Sequence, residues 1–282
     1  MLVMKTIVTH YMPDQDAITS VWLLKKFAKG WEDSEVAFVA AGKTLNDEEV
    51  DSDLNIMHVD TGFGVCDHHQ EHSNTCASVL TWKWIKDQGL GARKVEEVVM
   101  QGLLAVVNDI DHFGESKWPD PVNDRYDFQL ERIIDGWKLL YPGEDQRLIQ
   151  WGMDSLDGIL QILNSKYQAK KELEAGAAFE TKWGKAIALE TTNDEVTHLG
   201  QKLGYNIVVR KDPRKGYLRV KSMPDPSIDL TVLMERLKEK DSAATWFLHP
   251  DKHQLLNGST KNPDMRPTKL SLEEVVQIMR NC

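Results

Sequence analysis

Three short runs rich in β-branched and apolar residues, at 5–10 (KTIVTH), 36–41 (VAFVAA) and 54–59 (LNIMHV), alternate with segments of helical apolar spacing. This alternation constrains the fold more than any other feature of the chain. The first run ends at His10, Pro13 and Asp14 follow, and residues 17–24 then open an apolar helical stretch. The third run ends at Asp60. Residues 76–87 and 95–107 again carry apolar residues at helical spacing. Strand, polar loop and helix in repetition form the pattern of a βαβ unit, which predicts an α/β domain built on a doubly wound parallel sheet. The run at 36–41 reads as a buried strand in that sheet.

Beyond about residue 113 the texture changes. Residues 118–124 (WPDPVND) read as a loop, and 128–141 and 147–171 as helices. The second of these is long and charged, and it reads as a connecting helix. Further strands are predicted at 186–189, 205–210, 217–221 and 245–248, with helices at 230–240 and 271–280. This is the pattern of a smaller α+β domain. The expected organisation is a catalytic domain over 1–165, a connecting helix over 166–184 and a substrate-binding domain over 185–282. A length of 282 residues suits two domains.

Composition removes several classes. With 41% hydrophobic and 28% charged residues the chain is too apolar for disorder. A net charge of −10 argues against a protein that grips long nucleic acid by charge alone. Three cysteines, Cys66, Cys76 and Cys282, give no disulfide framework. No apolar run reaches the ~18 residues of a membrane span, and the first residues turn polar too early for a secretory leader. A cytoplasmic protein is expected.

Six of the nine histidines (His10, His58, His68, His69, His72, His112) fall in the first 112 residues. They gather with aspartates at predicted strand and helix ends. His10, Asp14 and Asp16 follow the first strand; Asp60 and the triplet Asp67-His68-His69 follow the third; Asn108-Asp109-Ile110-Asp111-His112 closes a helical stretch. Side chains at the carboxyl ends of parallel strands converge on one crevice. A lone histidine at a strand end is more often structural, and an aspartate there is a common cap or turn residue. Successive clusters at successive strand ends weigh against that account. So many carboxylates and imidazoles in one crevice would repel each other unless cations bind there. The donor set suits Mn²⁺, Mg²⁺ or Fe²⁺.

This ordered set, HxxxDxD at His10, Asp14 and Asp16, an isolated Asp60, the Asp67-His68-His69 triplet and a later Asp, resembles the DHH phosphoesterase superfamily. The stretch VDTGFGVCDHHQ most resembles its Myg-type (melanocyte-proliferating-gene) exonuclease branch, as does WFLHPDKHQLLNGSTKNP more distantly. The resemblance implies a DHH domain followed by a smaller DHHA1-like domain, with two divalent ions, Mn²⁺ first among them. It implies that His10, Asp14 and Asp60 hold one ion. Asp16, Asp60, His68 and the later Asp would hold the second, with Asp60 bridging and His69 close to the substrate phosphate. Asp60, His68 and His69 would then carry the chemistry. Asp109 fits the family's spacing to Phe113, and Asp111 fits the Myg-type position, so both stand as candidates. Gln15 replaces the frequent Gly between the two aspartates, and the late glycine-rich GGGH loop of RecJ-like members is absent, with Asn257-Gly258-Ser259-Thr260 at a comparable position.

Residues 202–221 hold Lys202, Arg210, Lys211, Arg214, Lys215, Arg219 and Lys221 against the single acid Asp212. Such a run is usually a solvated face, but it also suits a basic wall steering an anionic substrate. Arg210 and Arg219 on predicted strands suit bidentate phosphate contacts, Asn257, Gly258 and Ser259 an anion nest, and His249 an approach to the crevice. Of the nine tryptophans, only Trp118 and Trp246 stand as candidates for base stacking.

The expected function is metal-dependent hydrolysis of phosphodiester bonds in single-stranded RNA or DNA, or in short oligonucleotides. The alternatives are a phosphohydrolase for pyrophosphate or a cyclic dinucleotide, and a non-catalytic metal or nucleotide sensor. No membrane partner is expected, and a homodimer is allowed.

Overall fold

The computed structural model describes residues 4–70, 73–91, 95–259 and 261–282. His72 and Thr260, both singled out in the sequence, lie outside the described residues. The chain divides into two units, Met1–Leu163 and Asn164–Cys282.

In the first unit, strands β1 (Thr6–His10), β2 (Glu35–Val39) and β3 (Ile56–His58) form a parallel sheet in the order β2-β1-β3. The chain steps from β1 to one side and then returns to the other. The switch point therefore lies at the carboxyl ends of β1 and β3, where open α/β sheets form their binding crevice. The predicted parallel sheet is present, with three strands among the described residues. β2 differs from its prediction: it is half-buried, because it lies at the sheet edge.

Helix α1 (Gln15–Phe27) is capped by Asp14, whose Oδ1 accepts from the Ala17 backbone N–H at 3.0 Å. It is buried along nearly its whole length, so it packs inside the unit and not on its surface. Trp22, Phe27 and Trp82 stack edge-to-face between α1 and helix α2 (Ala77–Asp87). Helices α3 (Glu97–Asp111) and α4 (Leu130–Leu140) follow, and then the long α5 (Asp145–Glu174). Gly152 of α5 lies against α1, and a Cβ there would stand 2.6 Å from Ile18 Cγ2. Farther along the helix, a Cβ on Gly158 would meet open space.

The division between the units falls within α5, and the helical run expected over 166–184 stops at Glu174. Gly176 breaks it, and strand β4 (Ala177–Thr181) begins at once. In the second unit β4, β5 (Gly184–Glu190), β6 (Ile207–Lys211), β7 (Leu218–Ser222), β9 (Gln254–Asn257) and β8 (Phe247–Leu248) form one mixed sheet in that order. Only β5 and β6 pair in parallel. Alternation sorts its side chains into two cores. Ile187, Leu189 and Val208 face Leu173 and helix α6 (Glu195–Lys202). Ala186, Ala188, Ile207, Val209 and Val220 face α7 (Thr231–Lys240) and α8 (Leu272–Arg280). Among the described residues no helix is long and apolar enough to cross a membrane.

The contrast between the two α5 glycines gives a stability test. Gly158→Ala raises unfolding stability by about 1 kcal/mol through helix propensity alone. Gly152→Ala lowers it despite the same gain, because the methyl must displace the stiff β-branched Ile18. Denaturant titration of both variants checks the opposite signs.

Candidate metal centre

The site forms where β1 and β3 end. His10 is the last residue of β1, and its Nδ1 lies 2.8 Å from the Tyr11 carbonyl oxygen, so that nitrogen carries the proton. Nε2 is thereby turned toward Asp60 Oδ2 at 3.3 Å and Asp14 Oδ2 at 3.9 Å. Past β3, Val59 bridges Cys66 and the Asp60 N–H donates to the Cys66 carbonyl, so the chain closes a tight loop over 60–66. Asp60 starts that loop in the left-handed region, at φ +54°. Asp tolerates this conformation better than most residues, yet it costs energy, and such outliers gather at functional sites.

The triplet that follows is locked from below. Asp67 is fully buried; its Oδ2 accepts from the Phe63 N–H at 2.7 Å and its Oδ1 from the His69 N–H at 3.1 Å. The same Oδ1 lies 2.7 Å from His69 Nδ1, which fixes the ring and leaves Nε2 free. His68 turns the other way, with Nε2 3.5 Å from Asp60 Oδ1 and 3.7 Å from Asp111 Oδ2.

Asp16 enters from the first turn of α1. Its two oxygens accept from the N–H groups of Ala77 (2.6 Å) and Ser78 (2.9 Å). The Cys76 side chain offers α2 no cap, so a residue sixty positions earlier supplies it. The helix N-terminus holds this carboxylate in one orientation.

Three sets of donor atoms each lie within 4.8 Å of one another: His10, Asp14 and Asp60; Asp16, His68 and Asp111; and Asp60, His68 and His69. Asp60 belongs to two of them. Asp60 Oδ1, His68 Nε2 and Asp111 Oδ2 are buried and have no hydrogen-bond partner, although they face each other. Separations of 3.5–3.7 Å are long for hydrogen bonds but suit donors around a shared ion, whose ligand atoms stand roughly 3–4 Å apart. Carboxylate and imidazole donors with orphaned, converging lone pairs fit divalent cations.

The electrostatics agree. Burial, with Asp60, Asp111 and Asp14 nearby, pushes Asp16 up to about 8. Burial also raises Asp111, with Asp60 and Asp14 adding to it. His10 rises to about 9: burial works against its charge, but Asp60 and Asp14 outweigh burial. His68 rises to about 9, first through its contact with Asp60. Asp60 falls below the usual carboxylate range although burial opposes it, because His10 and His68 flank it. Protons take the place of cations in this cluster.

The two C-terminal aspartates of α3 part company. Asp111 joins His68 and Asp16, whereas Asp109 is exposed and accepts from Trp118 Nε1 at 2.9 Å. Gly114 makes that arrangement feasible, since a Cβ there would stand 2.0 Å from Asp109 Oδ1. Glu131 on α4, which sequence reasoning passed over, sits against the Gln15 backbone N–H between Asp14 and Asp16. Burial first, then Asp14 and Asp135, lift it to about 7. A glutamate in an amphipathic helix carries no sequence signal for this position.

In the second unit, Arg210 and Arg219 are register partners across β6 and β7. Both reach Asp194 Oδ1, at 3.1 and 3.0 Å, and Arg210 also lies 3.7 Å from buried Asp212. The basic run is therefore partly neutralised by Asp194, a partner distant in sequence. The Nε atoms of both arginines are buried without a hydrogen-bond partner. With Arg214, Lys215, Gly258 and Ser259 they line a cavity of about 150 Å³. Asn257 faces inward: its amide donates to the carbonyls of Thr245 and Arg266 and accepts from the Thr268 N–H. His249 pairs with Asp251 at 2.9 Å. Trp246 packs against the core and donates to the Asp241 carbonyl.

No protein-family model and no curated protein matches this chain. Thermus thermophilus RecJ, in complex with Mg²⁺, aligns over 98% of this chain and 49% of its own at 15% identity, with a TM-score of 0.33. This chain thus spans about half the length of that RecJ. A Methanococcus jannaschii protein assigned to the family II inorganic pyrophosphatases aligns over 98% and 99% of the two chains at 14% identity, with a TM-score of 0.21. Scores at this level carry no weight for function, which rests on the site geometry.

Asp111→Asn is expected to weaken Mn²⁺ binding at least about tenfold, while Asp109→Asn leaves it within about twofold. Calorimetric titration separates the two. In wild type the affinity rises with pH toward about 9, since His10, His68 and Asp16 must shed protons before they can ligate.

Proposed function

We propose that this chain is a metal-dependent phosphoesterase of the DHH kind that hydrolyses phosphodiester bonds of single-stranded RNA or DNA, or of short oligonucleotides. The observation that carries the reading is Asp60. It is a buried carboxylate in a strained backbone conformation, shared by two donor sets, one with His10 and Asp14 and one with His68 and His69, and His68 also joins Asp16 and Asp111 in a third. A shared carboxylate is the arrangement by which two ions are held about 3.5–4 Å apart. In this reading His10, Asp14 and Asp60 hold one ion, and Asp16, His68, Asp111 and Asp60 the other.

When bound, two such ions polarise a phosphoryl group and lower the pKa of water enough for attack near neutral pH. The protein's own groups set the rest. Asp67 fixes the His69 ring, half-exposed above the cluster, so that Nε2 can hold or donate a proton at a phosphate or leaving-group oxygen. The α2 N-terminus keeps Asp16 oriented. Asp14 contributes through Oδ2 because its Oδ1 is committed to the helix cap. In the second unit, the two unpartnered guanidinium Nε–H groups and the Gly258–Ser259 backbone suit a substrate phosphate. A Cβ at Gly258 would strike the Tyr217 ring at 2.1 Å, so only glycine lets the backbone pack against that ring.

The reading is tested with protein, Mn²⁺ and end-labelled single-stranded RNA, with products resolved at single nucleotides. Stepwise loss of mononucleotides from one end is expected, slowed about a hundredfold or more by Asp60→Asn. Intact RNA alongside hydrolysis of pyrophosphate or a cyclic dinucleotide would replace the nucleic-acid reading with the small-anion one. Turnover of none of them would end the phosphoesterase reading. Arg219→Ala is expected to raise KM about tenfold with kcat nearly unchanged. Steady-state kinetics on a short oligonucleotide reads the split.

A further inference from the structure

The loop that carries metal ligands past β3 also carries an aromatic ring that the metal chemistry leaves unused. Asp60, Gly62 and Phe63 all lie in the left-handed region, Phe63 at φ +60°. Glycine takes that conformation freely. A bulky side chain takes it at a cost, and such outliers persist where the surroundings over-determine them. Phe63 is held in this way from several sides. Its N–H donates to Asp67 Oδ2 at 2.7 Å, and the same carboxylate fixes His69 through Oδ1. Its neighbour Gly64 lies against Asp51, where a Cβ would stand 2.4 Å from Oδ2; Asp51 Oδ1 in turn accepts from the His58 N–H at 2.9 Å. The far edge of the ring lies against Gly42 in the loop after β2, with Cζ 3.3 Å from where a Cβ on that glycine would be. The two loops are tied together at this point: the Gly42 N–H donates to Thr61 Oγ1, and Thr61 Oγ1 donates to the Lys43 carbonyl, each at 3.1 Å.

The backbone and one ring edge are thus committed, yet Phe63 remains 54% exposed. A ring fixed along one edge and open over the rest is a preorganised apolar face, the form in which an aromatic side chain accepts a flat partner. Its position selects that partner. Phe63 stands in the chain between Asp60 and the Asp67-His68-His69 triplet, and three residues reach at most about 11 Å even when extended. Here the loop is folded back on itself, with the Asp60 N–H bonded to the Cys66 carbonyl at 3.1 Å. The ring is therefore within reach of the nucleotides on either side of a phosphate held at those ligands. An unpaired base offers a π-face to such a ring whichever of the four it is, whereas paired bases keep theirs inside the duplex stack.

We infer that Phe63 is a substrate-binding residue on which an unpaired nucleobase stacks, in a nucleotide flanking the phosphate at the metal cluster. The inference rests on the phosphoesterase reading for the phosphate but not for the base, so stacking is tested without turnover. Mg²⁺-loaded protein is titrated calorimetrically with adenosine monophosphate, cytidine monophosphate and ribose 5-phosphate. Both nucleotides should bind about tenfold more tightly than the sugar phosphate. Phe63→Ala and Phe63→Leu should abolish that preference, and Phe63→Trp should keep it. Mn²⁺ affinity should stay within about twofold of wild type in all three variants, because none of them removes a ligand or a group that orients one through its side chain. Equal binding of the three ligands by wild type, binding of none, or a preference retained in Phe63→Ala or Phe63→Leu would overturn the inference. So would a nucleotide preference lost only together with Mn²⁺ affinity, which would make Phe63 a support of the loop. RNA hydrolysis by a wild type that shows no nucleotide preference would sink the stacking role alone. A Phe63-dependent preference without hydrolysis of RNA, pyrophosphate or a cyclic dinucleotide would uphold the stacking role and end the phosphoesterase reading.

Discussion

A buried carboxylate needs positive charge, and in this fold the carboxylate of Asp60 organises everything around it. It is almost wholly enclosed, it follows β3 at the sheet's switch point, and its backbone has crossed into the left-handed region to point it inward. Two imidazoles answer it from opposite sides, His10 from β1 and His68 from the loop beyond. Both take up protons readily because of it. Burial first, and the same negative charge after it, pushes Asp14, Asp16 and Asp111 upward. A set of acids and bases that can settle only by sharing protons is also one that divalent cations can settle by replacing them.

The supporting shell follows from that demand. Asp14, Asp16 and Asp67 spend hydrogen-bonding capacity on backbone N–H groups, whereas Asp60 and Asp111 each keep a buried oxygen unpartnered. Asp14 caps its own helix, Asp16 caps α2 across sixty residues, and Asp67 gathers the loop beneath His69. The elements that carry the donors are therefore tied together by the donors themselves. Fold and site are not separable here: removing one of these aspartates loosens a helix start or a loop as well as a ligand sphere.

How much of this was legible in the sequence depended on range. Period-two and period-3.6 patterns report local burial, so β1, β3 and α2 were readable to within a residue or two and α1 to within three. β4 and β9 were missed, because AAFET and QLLN are too short and too mixed to stand out from loop. The strand-end rule brought His10, Asp60 and the triplet together correctly, since it depends only on topology. It could not show that Asp194 answers Arg210 and Arg219, a contact between segments whose only relation is tertiary. Nor could it find Glu131, which arrives at the site from a helix three elements later.

The choice between Asp109 and Asp111 was undecidable from spacing for a sharper reason. Both belong to the last turn of α3, two residues apart, and two residues on a helix are about 200° of rotation. One must turn toward His68 when the other turns away. The two carboxylates therefore have different roles. Asp111 faces His68, and Asp109 accepts from the Trp118 ring N–H. A single helix end thus holds the two carboxylates apart. Any rotation of α3 about its axis would move both carboxylates together. Gly114, forced by the close approach of Asp109, keeps the following turn tight enough for Phe113 and Trp118 to line one cavity.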